Sequence, residues 1–241
     1  MVGSGTLVNT IAVGGGGIVG YLFQRIIPVK VQETVLKALG LGVFFIGLAG
    51  TLSKMLLIKN GSVSTTGEIM LIISLAIGTV FGELIDIDKW LNQFGKYLAK
   101  HFGSTSSSKF SEGFLVTTLT TCVGALAVVG ALQDGLNHDP SILYTKSTID
   151  FITVILFAAS FGIGCAFAAI PIFVVEGGIT LLAVFVKAFM TTNMLTGISL
   201  VGDTLIALIG INMMLGTKIK IANMLPALIV VVFYVPFFGI G

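Results

Sequence analysis

The stretch STIDFITVILFAASFGIGCAFAAIPIFVVEGGITLLAVFVKAFM, residues 147–190, decides the fold class. It is long enough to cross a bilayer twice, and its only charges are Asp150, Glu176 and Lys187. A helix needs about 20 apolar residues to span the hydrocarbon core. Membrane strands would show alternating runs of about ten residues, and here the apolar residues are continuous, so helices are predicted. Pro171 interrupts the run near its middle. The expectation is two spans, 147–169 and 171–190, joined by a short apolar turn buried within the membrane.

Six further apolar segments lie outside this stretch, at 6–24, 36–58, 67–85, 112–133, 200–216 and 222–240. The composition agrees with them. The chain is 55% hydrophobic and 10% charged with a mean hydropathy of +1.07, where soluble domains carry about 25% charged residues. The predicted fold is all-α: a polytopic membrane protein of about eight transmembrane helices. This excludes a cytosolic enzyme, a secreted domain and a disordered chain. A net charge of +2 is too small to point to nucleic acid. The N-terminal MVGSGTLVNTIAVGGGG lacks the basic start of a signal peptide and continues apolar to Phe23, so it reads as the first membrane helix.

The polar connections orient the chain. DIDKWLNQFGKYLAKHF (86–102) places Ile87, Leu91, Phe94 and Leu98 on one face with lysines elsewhere. It reads as an amphipathic helix at the membrane interface or as an ordinary helical linker. GSTSSSK (103–109) follows as a flexible loop. With eight spans, one side holds Arg25, Lys30, Lys37, Lys89, Lys96, Lys100, Lys109, Lys218 and Lys220, and the other Lys54, Lys59, Lys146 and Lys187. The richer side should be cytoplasmic, which puts both termini outside.

Four ordered matches suggest an internal duplication. TLVNTIAV (6–13) resembles STIDFITV (147–154), PVKVQE (28–33) resembles PIFVVE (171–176), Gly67-Glu68 matches Gly202-Asp203, and GELIDIDKWL (82–91) matches GTKIKIANML (216–225). The expected organisation is a single membrane domain with one repeat at 1–102, a linker and spanning helix at 103–135, and a second repeat at 136–241. Transporters built from repeats place their substrate sites near the midplane at the repeat interface.

Acids in apolar segments are costly and mark functional positions. Glu176, in FVVEGGITLL, reads as a proton or cation site or as a hydrogen-bonded acid near a helix end. Asp150 lies one turn after Lys146, the spacing of an ion pair, and the repeat sets Asn9 opposite it. Thr117 and Thr121, on a stripe with Gly124, Ala127 and Ala131, form either a helix-packing seam or a polar-lined route. Asp134, Asp139 and His138 in QDGLNHDPS (133–141) form an acidic turn on the expected outer face, with cation recruitment as the alternative. In KIKIANMLPAL (218–228), Lys218 and Lys220 read as anchors to anionic headgroups. There Asn223 is expected to cap the last helix, with Pro226 in its first turn. Cys122 and Cys165 read as small buried side chains, and His101 and His138 are too far apart for zinc. No catalytic constellation, metal cluster or cofactor fingerprint is expected. The bilayer is the expected partner, with a small solute or cation, and with homo-oligomerisation through the small-residue helix faces.

DPSILYTKSTIDF (139–151), CVGALAVVGALQDGL (122–136), GELIDID (82–88) and NMLPAL (223–228) together resemble the YqgA-like bacterial membrane proteins, domain of unknown function 554. The resemblance runs from the first span to the last. It implies an integral protein of the bacterial plasma (inner) membrane, with transport as the suggested activity. It also leads one to expect glutamine in some relatives where this chain has Glu176, which favours a hydrogen-bonding role there. The resulting expectation is a transporter of a small solute or ion. The alternatives are a channel or a non-transporting membrane scaffold.

Overall fold

The computed structural model describes residues 2–24, 26–59, 61–101, 107–122, 125–187 and 190–240. Among these, eleven α-helices follow in order: α1 Ser4–Gln24, α2 Val29–Met55, α3 Glu68–Ile85, α4 Ile87–His101, α5 Ser107–Cys122, α6 Ala125–Asn137, α7 Ser141–Phe161, α8 Ala169–Leu181, α9 Ala183–Lys187, α10 Thr192–Leu215 and α11 Pro226–Phe238. Strands β1 (Leu56–Lys59) and β2 (Ser62–Thr65) form a hairpin between α2 and α3, with Leu56 opposite Thr65 and Lys59 opposite Ser62. Short 3-10 segments, Ile163–Ala168 and Ile221–Met224, precede α8 and α11. Among the described residues, seven helical segments are long and apolar enough to cross a membrane. The pair Ser108–Cys122 and Leu126–Asn137, bent by 60°, makes an eighth if it is one span.

Each expected span has a counterpart, but the break near Pro171 lies elsewhere. The chain leaves α7 at Gly162, whose φ of +94° is open to glycine and costly for other residues. Pro171 instead falls in the first turn of α8, where its missing N–H has no intrahelical partner to lose. The two spans become Ser141–Phe161 and Ile163–Leu181. The expected 36–58 span begins at Val29, directly after Pro28, and gives up its last residues to the hairpin. Arg25, Gly124 and residues 103–106 of the expected loop lie outside the described residues.

The chain forms two compact units from interleaved segments. The first contains Met1–Leu39 and Lys89–Lys187. Its α1 lies along α7 and the 3-10 segment after it, with Val13, Leu143, Val154, Phe157 and Ala158 fully or almost fully buried. Contact is close because glycines line α1. A methyl on Gly17 would meet the backbone of Ala166, and one on Gly20 the carbonyl of Ile155. The glycine stripe of α1 is therefore a seam inside the chain. Helix α4 turns Leu98 and Ala99 onto Phe110 and Phe114 of α5, leaving Lys89, Lys96, Lys100, Trp90 and Tyr97 exposed.

The second unit contains Gly40–Asp88 and Ala188–Gly241. Here α3 packs on α11 and on the 3-10 segment before it. Along α10, Gly210 approaches the backbone of Phe44 on α2, while Gly47 and Gly50 of α2 approach Asp203. Leu200, Leu205, Ile209, Ala227 and Val231 are the buried aliphatic centre of this unit.

Candidate functional site

Residues from three helices of the first unit meet at one buried point. On α7, Lys146 and Asp150 are one turn apart and form an ion pair, as their spacing predicted. The Lys146 ammonium also lies 3.2 Å from Glu176 Oε1 on α8. Asn9 Nδ2, from α1, donates to both carboxylate oxygens of Glu176 at 2.9 and 3.1 Å. Asn9 and Glu176 are completely buried, and the Lys146 and Asp150 side chains are only 7% and 10% exposed. One turn along both helices, Thr6 Oγ1 and Thr180 Oγ1 lie 3.2 Å apart. Helices α1 and α8 are thus joined by two successive polar rungs, and the glycine face of α1 brings Asn9 against α7. The Lys146–Asp150 pair is thus one part of a buried centre that also holds Glu176 and Asn9.

The charges at this centre do not balance. One ammonium faces two carboxylates, which leaves one negative charge in excess when all are ionised. An uncompensated charge in a low-dielectric interior is strongly unfavourable. The arrangement can accept one proton or one small cation. Asn9 Oδ1, buried and without a hydrogen-bond partner, adds an acceptor oxygen suited to a cation and not to a second anion.

Thr117 and Thr121 are buried on α5, and the Thr121 hydroxyl donates to the Thr117 carbonyl at 2.7 Å. The next residue, Cys122, lies within electrostatic reach of Lys146, Glu176 and Asp150, so the end of α5 borders the centre. Cys165 is buried and, like Cys122, a free thiol.

The remaining candidates are placed apart from it. Asp134 is fully buried and accepts from the N–H groups of Gly3 and Gly5, at 3.3 and 2.9 Å. It therefore supplies acceptors to the first turn of α1, where helical N–H groups have none, and is not an acid of an exposed turn. Asp139 does occupy the turn. It accepts from the Ser141 N–H at 3.0 Å, from the Ser141 hydroxyl and from Gln133 Nε2. The Ser141 hydroxyl, then the Ser141 N–H and Gln133, hold its carboxyl below the usual range. Lys218 is exposed. Lys220 pairs with Glu83 at 3.4 Å and Asp86 at 3.6 Å, and the Glu83 hydrogen bond first, then Asp86, raise its pKa. Asn223 does not cap α11, whose N-terminal flank is Leu225 without a side-chain cap. It lies in the preceding 3-10 segment, and its Oδ1 accepts the Asp88 N–H in the first turn of α4 at 2.7 Å.

Asp203 of the second unit was missed as a candidate. Its signal in the sequence was plain, an acid within the apolar 200–216 run, but the residue served there only as a match in the repeat.

Comparison with known proteins shows a family model described as "Protein of unknown function (DUF554)" matching residues 4–236. The chain is similar to a protein of Bacillus subtilis (strain 168) named "Uncharacterized membrane protein YdfK", with 30% identity over 239 residues and 98% of each chain covered. It is also similar to "Uncharacterized protein YqgA" of Escherichia coli (strain K12), 25% identical over 229 residues, with 93% of each covered. No solved structure matches it.

Proposed function

This chain belongs to the family described as "Protein of unknown function (DUF554)", and from that premise we propose that it is a membrane transporter of a small solute or ion. Its coupling or substrate site is the centre of Asn9, Lys146, Asp150 and Glu176. The observation that carries this reading is the buried charge imbalance, two carboxylates on one ammonium, inside segments able to span a membrane. Lys146 holds the site while it is empty. An incoming cation or proton competes with the ammonium for the carboxylates, and Asn9 Oδ1 is free to join its coordination. The proposed repeat halves, 1–102 and 136–241, make Asn9 and Asp150 equivalents, and both lie at this centre. The protein is further proposed to reside in the bacterial inner membrane with both termini outside, and not to act as an enzyme.

The test is a melting screen of the purified protein against monovalent cations, pH and small metabolites. A true ligand at a hundredfold excess over Kd stabilises by about 2.7 kcal/mol. Glu176→Gln, which removes the excess charge, should bring the shift well below the wild-type value. Full retention of the shift by the variant removes the centre as the site. Proteoliposome flux of the stabilising ligand then establishes transport, whereas unitary currents in planar bilayers make the protein a channel.

A further inference from the structure

The second unit has a carboxylate of its own within a membrane-spanning helix. Asp203 lies in the middle of α10, in the span Thr192–Leu215. Among the described residues its carboxylate has no hydrogen bond or salt bridge. Among the described residues, Lys54 on α2 is the charged group in electrostatic reach of it. Of the other acids and bases on neighbouring elements, Glu83 is engaged by Lys220, and Glu68 is held at the start of α3 by Thr65. The Asp203 side chain rests on the surface of α2 where a glycine leaves room: a methyl on Gly50 would lie 2.5 Å from Asp203 Oδ2.

The residues beside this contact supply a second observation. Thr51 Oγ1 and Thr204 Oγ1 are 3.2 Å apart. The Thr51 hydroxyl donates to the Gly47 carbonyl at 2.9 Å, and the Thr204 hydroxyl to the Leu200 carbonyl at 2.8 Å. A hydroxyl has one proton. Two hydroxyl protons serve these three contacts, so whichever hydroxyl donates to the other, both oxygens keep lone pairs to which the pair itself supplies no proton. Hydroxyl oxygens carried by the residues that directly follow Gly50 and Asp203, together with a carboxylate that has no partner among the described residues, make an oxygen-only set suited to a positive charge.

We propose that Asp203, with Thr51 and Thr204 in the space left by Gly50, is a second binding site for a small monovalent cation, an alkali ion or a proton, separate from the Lys146 centre. Oxygen ligands without nitrogen or sulfur suit such hard cations. A single carboxylate matches one positive charge.

The experiment uses full-length protein carrying Glu176→Gln, so that the first centre is charge-neutral and its response is removed. Melting is followed in a sodium chloride series against choline chloride at constant ionic strength and, separately, in a sodium-free pH series. The Glu176→Gln protein should retain a response in one series, sodium identifying an alkali ion and pH alone a proton. Adding Asp203→Asn should abolish that response. Adding Gly50→Ala, whose methyl would collide with the Asp203 side chain and displace its carboxylate, or Thr51→Val should weaken it at least several-fold. The proposal is overturned if the Glu176→Gln protein responds to neither series, or if the response persists unchanged with Asp203→Asn. Should Asp203→Asn fail to fold, the Thr51→Val protein decides by the same criterion. The two readings fail separately: loss of the Lys146 centre as a site leaves the Asp203 response in place, and the reverse also holds.

Discussion

Replacing Lys146 by methionine is the most direct probe of the buried centre. The ammonium contacts Asp150 and lies 3.2 Å from Glu176 Oε1. At an effective permittivity of about 20, two unit charges at that separation attract by roughly 5 kcal/mol before desolvation is counted. Methionine keeps most of the side-chain volume, so packing is a minor part of the change. What remains is two facing carboxylates with no cation. Removing one partner of a buried pair costs about 3–5 kcal/mol. On the scaling of a 150–250-residue domain this lowers Tm by about 6–20 °C. The assay follows from the chain itself. With the partly exposed Cys122 replaced by serine, the completely buried Cys165 reports its exposure to a fluorogenic thiol reagent as the protein melts. Glu176→Gln should behave differently, because Lys146 keeps Asp150 and Asn9 keeps a polar partner; its effect should stay within about 1 kcal/mol. Neutralising all three, with Lys146→Met, Asp150→Asn and Glu176→Gln together, should recover most of the lost stability. The reasoning is refuted if Lys146→Met melts with the wild type, or if the triple variant melts no higher than Lys146→Met alone.

Three further outcomes are expected. Gly17→Val drives a side chain into the Ala166 backbone and should destabilise by at least about 1–3 kcal/mol, whereas Gly42→Ala, with open space around it, should be neutral or slightly stabilising in the same melting assay. The Ser141 hydroxyl, with its N–H and Gln133, lowers the Asp139 pKa, so this carboxylate stabilises the fold above the unfolded carboxylate's range. That contribution is lost as pH falls through the lower folded value. Asp139→Asn should therefore flatten the acid side of the melting profile, and an unchanged profile shows that the turn carries no such linkage. In intact cells, on a background without Cys122 and Cys165, an impermeant maleimide should label His138→Cys and spare Lys96→Cys; the opposite pattern inverts the proposed orientation.

The fold class was legible because lipid imposes a simple pattern: an uncharged run of about 20 residues is the length a helix needs to cross the hydrocarbon core. The centre was legible in its members. Glu176, Asp150 and Asn9 stood out as polar groups in apolar helices, and the spacing of Lys146 and Asp150 announced their pair. Their convergence was not, since it depends on how close α1 approaches α7, which is set by Ala166 and Ile155 meeting Gly17 and Gly20 across a long sequence separation. Proline misled for a local reason. Inside a helix it breaks the ladder, but in the first turn it fits, and Gly162 ended the preceding helix first. The hairpin was readable and went unread: LLIK and SVST flank Asn60-Gly61, the strongest short hairpin signal, obscured by the apolar run before it. Asn223 shows a different limit, because a capping residue can serve a helix distant in sequence, as it does at Asp88.

The rung between Asn9 and Glu176 joins residues 167 positions apart, and this has a consequence for biosynthesis. At about 5–20 residues per second, the ribosome needs roughly 8–33 s after making Asn9 to deliver Glu176. The acceptor for the α1 amides, Asp134, also arrives late, 129 residues after Gly5. During that interval the first helix has glycines with no close neighbour, an amide with no partner and an uncapped start. It would therefore be expected to wait at the insertion machinery or at the membrane surface, and to settle into lipid only as α7 and α8 emerge.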